Sequence, residues 1–390
     1  MIKNPLKAVE LFAGIGGFRL GLANANIETV WANDISELCC KVYESNFGKG
    51  SIVLGDINAI NISEIPEHDL LSAGFPCQPF SSAGKKLGIK DQVRGTIFER
   101  IVKILAEKQP KYFLLENVKR MLTMQDGSHF RVILNALSSL DYFIEWRIIT
   151  PVNFGIPQNR ERLFIFGSKL ESKDCRIIDL EKTSVFLTKD NTNVLPSSDE
   201  EIGNLMQSIM SSKTKNYNWG VAYKNTMYTQ PVSSLPDHQQ RVKLQDILQK
   251  EFEVEKQFDF TDDTIERIKE SKAVNRYCND VEILYNQDGG ARLGYTIFGT
   301  NGIASTLTAS TSRHYERYKV GDKFRRLTNV EYARLMGFPD DWCRVARIYD
   351  QYALFGNAVV PVCVEWICQR IGKSNFEWSK QRWQQLTLAI

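Results

Sequence analysis

The sequence predicts an α/β fold, a mostly parallel β-sheet covered by helices, together with a second and smaller domain. Two observations predict it. Residues 1–170 alternate short apolar runs with helical patterns, which is typical of such sheets. From about residue 171 to 290 Ser, Asn, Thr and charged residues dominate, and regular patterning resumes near Arg325. We therefore expect a discontinuous first domain, residues 1–170 and 326–390, and an inserted domain, residues 171–325.

Individual elements of the first domain follow from local patterns. Four apolar runs are predicted strands. They are residues 8–12, 30–34, 69–73 and 112–115. Thr96 and Glu99 form a capping box that starts a helix, and Pro110 ends it. A closing apolar helix is expected from 359 to 371, with Gly372 as its stop.

Composition limits the classes of protein to consider. The chain has 390 residues, 43% hydrophobic and 24% charged, as in ordinary soluble globular proteins. Eight cysteines without a CxxC pair and four scattered histidines argue against a disulfide framework and a metal site. No apolar run approaches the ~20 residues of a membrane span, and the N-terminus lacks a leader pattern. We therefore expect a cytoplasmic protein without membrane contact. The net charge of +3 does not by itself indicate nucleic acid.

A glycine turn follows the first predicted strand. Gly14, Gly16 and Gly17 lie where a nucleotide-type cofactor approaches the backbone at a helix N-terminus. Asp34, twenty residues beyond Gly14, ends the next strand, where its carboxylate could accept ribose hydroxyls. The dinucleotide fingerprint has a third glycine where this chain has Arg19. S-adenosylmethionine, which has no pyrophosphate, therefore fits better than NAD.

Cys77 stands between Pro76 and Pro79 on a stiff loop after the predicted strand 69–73. Open α/β sheets bind their ligands at this end of a strand. A lone cysteine in a turn is more often a small buried hydrophobe, so its interpretation depends on the other segments.

Two further segments place charges at strand ends. Glu116 closes an apolar strand, where burial raises the pKa of a carboxyl group; a structural ion pair is the alternative. Strand alternation puts Arg160 and Arg162 on one face and Glu161 on the other. Two guanidiniums on one face can hold a carbonyl oxygen or carboxylates, whereas a solvated edge strand is the alternative.

Six segments, in this order, resemble the motifs of the cytosine-5 DNA methyltransferase family of the bacterial restriction-modification type. They are the glycine stretch, PCQP followed by Phe80-Ser81, Glu116-Asn117-Val118, QNRER at 158–162, residues 326–339, and QYALFGNAVVP at 351–361. The resemblance covers about residues 8–168 and 326–372. It implies a Rossmann-like S-adenosylmethionine-dependent methyltransferase fold with a target-recognition domain.

The resemblance also implies roles for individual residues. Cys77 would attack carbon 6 of a cytosine flipped out of duplex DNA, Glu116 would assist at ring nitrogen 3, and Arg160 and Arg162 would hold the base. The residues of the S-adenosylmethionine pocket would be Phe12, Gly14, Gly16, Asp34, Ile35, Asp56, Ile57 and Asn357. Read alone, Asp56 is a turn residue. Ala358 departs from the Ser that many relatives have after this Asn.

DNA contacts are expected in three places. Residues 81–94 are polar and basic, as in a loop that closes over a phosphate backbone, and Gln78 and Ser81 lie at its start. Residues 312–319 interleave basic residues and tyrosines, and Arg313 is the candidate there. Thr306 belongs to a Thr-Leu-Thr pattern that resembles one in the family's recognition domains.

Two alternatives to a DNA enzyme stay open at this point. A tRNA cytosine-5 methyltransferase of the same fold has nearly this length, and a non-catalytic DNA-binding regulator would keep the fold without the activity. The resemblance favours a monomer that methylates double-stranded DNA and protects it from a restriction endonuclease of the same specificity. The target sequence cannot be read from the chain, because recognition domains expose no residue code.

Overall fold

The computed structural model describes residues 5–76, 97–169, 184–188, 206–211, 215–233, 235, 241–286, 296–309 and 316–371. A large sheet of ten strands forms its centre. The strands are β1 Lys7–Leu11, β2 Glu28–Asp34, β3 Val53–Leu54, β4 Leu70–Gly74, β5 Tyr112–Val118, β6 Tyr142–Ile149, β7 Arg162–Lys169, β8 Gln207–Ser208, β9 Trp219–Tyr223 and β10 Thr226–Gln230. Their order across the sheet is β3-β2-β1-β4-β5-β7-β6-β9-β10-β8. The predicted α/β class is therefore confirmed.

Within residues 1–170 the sheet is mostly parallel, as expected, with four parallel and two antiparallel strand pairings. The complete sheet is mixed, because β8, β9 and β10 add antiparallel pairings. From β3 to β5 the neighbouring strands are parallel, but β7 inserts antiparallel between β5 and β6. The physical reason is the connection, since β6 and β7 are joined through a short 3₁₀ turn, Pro151–Phe154, whereas parallel neighbours need a crossover.

Eight helices lie within the described residues. They are α1 Gly17–Asn24, α2 Glu37–Phe47, α3 Ile97–Lys108, α4 Ser128–Ser138, α5 Asp262–Lys269, α6 Asn329–Leu335, α7 Ile348–Asn357 and α8 Pro361–Cys368. The helix expected after Thr96 is α3, although Thr96 itself lies outside the described residues. The closing apolar segment forms α8, which packs against α1, so the end of the chain returns to its first strands. Gly372, its expected stop, is not among the described residues.

A second sheet of five strands lies in the region predicted as the inserted domain. Its strands are β11 Lys272–Cys278, β12 Val281–Asn286, β13 Thr296–Phe298, β14 Arg317–Val320 and β15 Lys323–Arg325, in that order across the sheet. The predicted boundary at residue 171 falls before β8, β9 and β10, which extend the large sheet through pairing of β6 with β9.

One apolar segment, Ile348–Cys368, has the length and composition of a membrane span. In the structure it comprises α7 and α8, and 83% of its window is buried inside the protein. The segment therefore serves as core of the fold.

A buried ion pair joins the second sheet to α6. The guanidinium of Arg325 donates two hydrogen bonds of 2.7 Å to the carboxylate of Glu331. The same carboxylate accepts from the backbone N–H groups of Thr328 and Gln249. Since Glu331 is fully buried, these four bonds replace the water that an ionised carboxylate would otherwise need.

We predict that Glu331→Gln lowers the free energy of unfolding by about 3–5 kcal/mol, because it leaves the buried Arg325 charge without its partner. The matched control is Asp340→Asn in the exposed pair with Arg334 (2.8 Å), for which a loss of about 1 kcal/mol or less is expected. Urea unfolding of both variants measures the difference, and equal losses would contradict the buried role of Glu331.

Candidate active site

The candidate site lies where the strand order of the large sheet reverses. β1 pairs in parallel with β2 on one side and with β4 on the other, so the connections leaving β1 and β4 diverge and leave a crevice at the carboxyl ends of the strands. The glycine turn follows β1 into this crevice. Phe75 and the exposed Pro76 follow β4 to the same edge, and Cys77, the next residue, lies outside the described residues.

The glycine turn has a backbone that few residues adopt. Phe12, Gly14 and Gly16 have φ values of 53°, 55° and 88°, and for the aromatic Phe12 this left-handed conformation costs about 1–2 kcal/mol. Among the described residues, nothing lies within 4 Å of the place where a side chain at Gly14 would begin. The indole of Trp342 donates a 2.8 Å hydrogen bond to the carbonyl of Ile15 and braces the turn from behind. A ligand can thus approach the backbone closely at Gly14.

Asp34 fastens this turn to β2. One carboxylate oxygen accepts from the N–H of Gly14 and the other from the N–H of Ser36, both at 2.8 Å. Ser36 in turn caps the N-terminus of α2. The neighbouring Ile35 is 69% exposed, which is unusual for an aliphatic side chain between a strand and a helix. Asp34 and Ile35 therefore offer a carboxylate and an apolar surface side by side.

Asp56 reaches the same edge on a loop held by neighbouring amides. The side chain of Asn33 donates to the carbonyls of Val53 and Gly55, each at 2.9 Å. Asp56 is exposed and uses Oδ1 to accept from Asn58. Asp56 is thus a turn residue, as its local sequence indicates. Its other carboxylate oxygen, Oδ2, has no hydrogen-bond donor among the described residues.

Burial of Ile57 and a bond from Arg100 fix the rest of this loop. Ile57 is buried, and its carbonyl accepts a 2.9 Å bond from Arg100 of α3.

The turn after α7 closes the crevice from the opposite side. Val359 lies against Gly17 at the start of α1 and against Gly74 at the end of β4. Asn357, two residues earlier, is exposed. The structure thus brings the predicted cofactor residues of four chain segments to one edge of the sheet.

Glu116 and Arg162 meet beside the end of β4. Arg162 Nε lies 3.2 Å from Glu116 Oε1. Glu116 Oε2 lies 3.6 Å from the position that a Cβ atom on Gly74 would occupy, so this oxygen faces the strand that leads to Cys77. Burial raises the pKa of Glu116, and the positive charges of Arg162 and then Arg160 oppose this rise. One oxygen of Glu116 is therefore held by Arg162, and the other faces β4.

Asn117 ties the same two strands together. Its side-chain amide donates a 2.8 Å bond to the carbonyl of Phe75, two residues before Cys77. Glu161 points away from the pair and binds Lys119 at the surface.

Arg160 is arranged differently from Arg162, although both were predicted to hold a base. Arg160 precedes β7, is buried, and donates to the backbone carbonyls of Leu307, Gly356 and Ala358 at 2.9–3.2 Å. Burial lowers the pKa of its guanidinium to about 9. Its described contacts are with the protein backbone.

The predicted DNA contacts are described only in part. Thr306 is half-buried, and its hydroxyl donates to the carbonyl of Asn159 in the segment 158–162. Gln78, Ser81 and Arg313 lie outside the described residues.

Sequence reasoning missed the residues that support the site from behind. Asn33, Asn117, Trp342 and Arg100 bind backbone groups of the loops that carry the predicted residues. Asn33 and Asn117 stand directly beside Asp34 and Glu116 in the sequence, and this adjacency could have identified them as supporting residues. Nothing local marks Trp342 or Arg100.

Glu10 is a second buried carboxyl group, behind the glycine turn on β1. It is fully buried and accepts a 2.8 Å bond from the hydroxyl of Tyr43, while its other oxygen has no hydrogen-bond partner among the described residues. Burial raises its pKa to about 8, opposed by Tyr43 and by the charge of Arg19 and reinforced by Asp34. Glu10 is therefore protonated at neutral pH.

Comparison with known proteins decides the family. The profile of the family described as "C-5 cytosine-specific DNA methylase" matches residues 6–373. This chain belongs to that family. The methylase is therefore an enzyme, a DNA (cytosine-5-)-methyltransferase, and the resemblance found in its motifs is confirmed.

Curated relatives of the methylase match along most of its length. It is 31% identical over 376 residues to the Type II methyltransferase M.HhaI of Haemophilus parahaemolyticus, covering 95% of this chain and 96% of the relative. It is 32% identical over 376 residues to M1.ScrFI of Lactococcus lactis subsp. cremoris, covering 94% and 77%. A 49% identical match to M.NgoBI of Neisseria gonorrhoeae covers 161 residues, 41% of this chain and half of that relative.

Solved structures share the fold of the methylase. A DNMT2 mutant from Spodoptera frugiperda superimposes with a TM-score of 0.59 at 17% identity, covering 92% of this chain and 97% of that one. A putative DNA modification methyltransferase encoded within an E. coli prophage gives a TM-score of 0.57 at 21% identity, covering 94% and 98%. The Rossmann-like methyltransferase fold is thus confirmed.

The raised pKa of Glu10 predicts how stability depends on pH. Between its ordinary value of 4.5 and about 8, the native state keeps a proton that the unfolded state has lost, so the free energy of unfolding falls as pH rises. Glu10→Gln should flatten this fall when urea midpoints are compared at pH 5.5 and pH 8. Glu28→Gln, at an exposed carboxyl group of the neighbouring β2, is the control. An unchanged pH dependence in Glu10→Gln would refute the burial argument.

Proposed function

We propose that this methylase transfers a methyl group from S-adenosylmethionine to carbon 5 of a cytosine flipped out of double-stranded DNA, as the modification enzyme of a Type II restriction system. The observation that carries the proposal is the Glu116–Arg162 pair at the carboxyl end of β5. Arg162 holds Glu116 Oε1 and Glu116 Oε2 faces β4, and Cys77 follows three residues after that strand ends.

Each residue of this group has a defined task in the proposed reaction. The Cys77 thiolate forms a bond from Sγ to carbon 6, and the electrons of the ring's double bond move toward nitrogen 3 as protonated Glu116 donates its hydrogen bond there. Arg162 holds Glu116 and is near enough to the same edge to hold the cytosine carbonyl oxygen. Carbon 5 then takes the methyl group that S-adenosylmethionine would supply, and the bond from that methyl group to the sulfonium breaks to leave a neutral thioether. The carbon 5 proton is next lost to water, and the electrons of the carbon–hydrogen bond re-form the double bond between carbons 5 and 6. The Sγ–carbon 6 bond breaks at the same time, and its electrons return to Cys77 as the thiolate.

The crevice fits S-adenosylmethionine, which supplies the methyl group as an electrophilic methylsulfonium. The open space at Gly14, the exposed Ile35 beside Asp34, and the free oxygen of Asp56 are the features that support this fit. We assign Phe12, Gly14, Gly16, Asp34, Ile35, Asp56, Ile57 and Asn357 to the pocket. Because Asp34 also holds the turn, its carboxylate would bind ligand and shape the backbone around it.

Recognition of the DNA sequence is proposed for the inserted region, residues 171–325, with the first domain carrying the chemistry. Since β8, β9 and β10 belong to the large sheet, the five-stranded sheet and the segments around it, residues 241–325, are the better candidates to face the major groove. Thr306 and Arg313 are the candidate contacts there, and Gln78 and Ser81 those of the loop after Cys77. The full-length similarity to Type II methyltransferases supports a partner endonuclease of the same specificity and a cytoplasmic place of action.

The test of this function is transfer of a labelled methyl group from S-adenosylmethionine to unmethylated plasmid DNA, with bulk tRNA in a parallel tube. We expect label in DNA that saturates at few sites, which bisulfite sequencing then identifies. Cys77→Ala should abolish transfer while leaving cofactor affinity intact. Label in tRNA alone would show that the substrate is RNA and not DNA. Turnover by Cys77→Ala would refute the assignment of Cys77 as the nucleophile. No label in either tube would favour a non-catalytic regulator.

Asp34→Ala should weaken S-adenosylmethionine binding by tenfold or more, since it removes both a ligand carboxylate and two hydrogen bonds that shape the pocket. Calorimetric titration measures this loss. Asp69→Ala is the matched control, because Asp69 also accepts a backbone N–H, that of Lys7 at 2.9 Å, but lies at the opposite end of the sheet. Equal affinity of the Asp34 variant and the wild type would exclude Asp34 from the pocket.

A further inference from the structure

Arg160 joins two chain segments that come from distant parts of the sequence. Its Nη1 donates to the carbonyl of Leu307, while Nη2 donates to the carbonyls of Gly356 and Ala358. Its Nε has no hydrogen-bond partner among the described residues. A planar guanidinium with several fixed donors suits such a bridge, and a lysine ammonium does not.

The first of these segments, residues 304–309, is anchored by the residues just before Arg160. The N–H of Asn159 donates to the carbonyl of Ala304, and the N–H of Ala304 donates to that of Pro157. The side chain of Gln158 accepts from the N–H of Leu307 and donates to the carbonyl of Leu335. This segment contains Thr306, a candidate DNA contact. Because of these bonds it cannot shift without disturbing residues 157–160.

The second segment, residues 356–359, carries the cofactor side of the crevice. A Cβ atom on Gly356 would lie 2.6 Å from the carbonyl group of Thr308, so the two segments are in backbone contact. Asn357 follows directly, and Val359 lies against the ends of α1 and β4. A displacement of the first segment is thus transmitted to the second through Arg160 and through this contact.

We propose that Arg160 is a positioning residue that couples occupancy of the DNA site to affinity for the cofactor. The inference rests on the proposed function, because it takes residues 304–309 as DNA-facing and Asn357 as part of the cofactor pocket. It replaces the expectation that Arg160 holds the base, since both terminal nitrogens of its guanidinium donate to the carbonyls of Leu307, Gly356 and Ala358. Coupling of this kind is reciprocal, so either ligand strengthens binding of the other.

The experiment measures the affinity for S-adenosylhomocysteine by calorimetry, with and without sonicated unmethylated plasmid DNA. In the wild type we expect DNA to raise this affinity about fivefold or more. In Arg160→Lys and Arg160→Met the ratio of the two affinities should fall to within about twofold of one. Gly356→Ala, which forces the two segments apart, should lower the same ratio and provides a second route if the arginine variants fold poorly.

The matched control is Arg147→Lys. Arg147 is equally buried and donates to the carbonyls of Phe186 and Ser233, but these lie in neither segment. It should lower thermal stability while keeping the wild-type ratio. A ratio of one in the wild type, or Arg160 variants that lose stability and keep the ratio, would overturn the coupling. Methyl transfer assayed in parallel separates this failure from failure of the proposed function, because the binding ratio requires no turnover.

Discussion

The parallel pairing of β1 with β4 is the constraint on which the site depends. Because the strand order reverses there, the chain leaves the two strands in divergent directions and the carboxyl edge stays open. The glycine turn and the residues that lead to Cys77 then emerge side by side from the ends of β1 and β4. Glu116 enters the same space because β5 continues the parallel array in register, with Gly74 opposite Glu116.

Side-chain amides hold several of the loops around the site. Asn33, Asn117 and Gln158 bind backbone groups of Gly55, Phe75 and Leu307, and a side-chain amide can donate and accept there without the desolvation cost of a buried charge. The carboxyl groups of Asp34 and Glu116 and the guanidinium of Arg162 lie at the crevice, where burial strengthens their electrostatic effect.

Local patterns predicted the parts of the fold that depend on neighbouring residues. The strands before Gly14 and Glu116 were predictable because apolar runs and turn residues mark their ends. The roles predicted for Cys77, Glu116 and Arg162 came from the resemblance of the motifs around them to the family, and not from local patterns. The place of β7 between β5 and β6 was not predictable, nor was the addition of β8, β9 and β10 to the large sheet. Both depend on pairing between distant strands.

The difference between Arg160 and Arg162 was also not predictable from the sequence, because it depends on contacts with distant residues. Two arginines on alternate positions look equivalent in sequence. The carbonyls that bind Arg160 lie about 150 to 200 residues further along the chain, beyond the reach of any local pattern.

The bond from Trp342 to the carbonyl of Ile15 has a consequence for biosynthesis. The glycine turn is synthesised 327 residues before the tryptophan that braces it, and α8, which packs on α1, is synthesised later still. A chain shortened to end before Trp342 would contain Cys77, Glu116 and Arg162 and would still have an unbraced glycine turn. The backbone of this turn is therefore braced only after the five-stranded sheet has been synthesised.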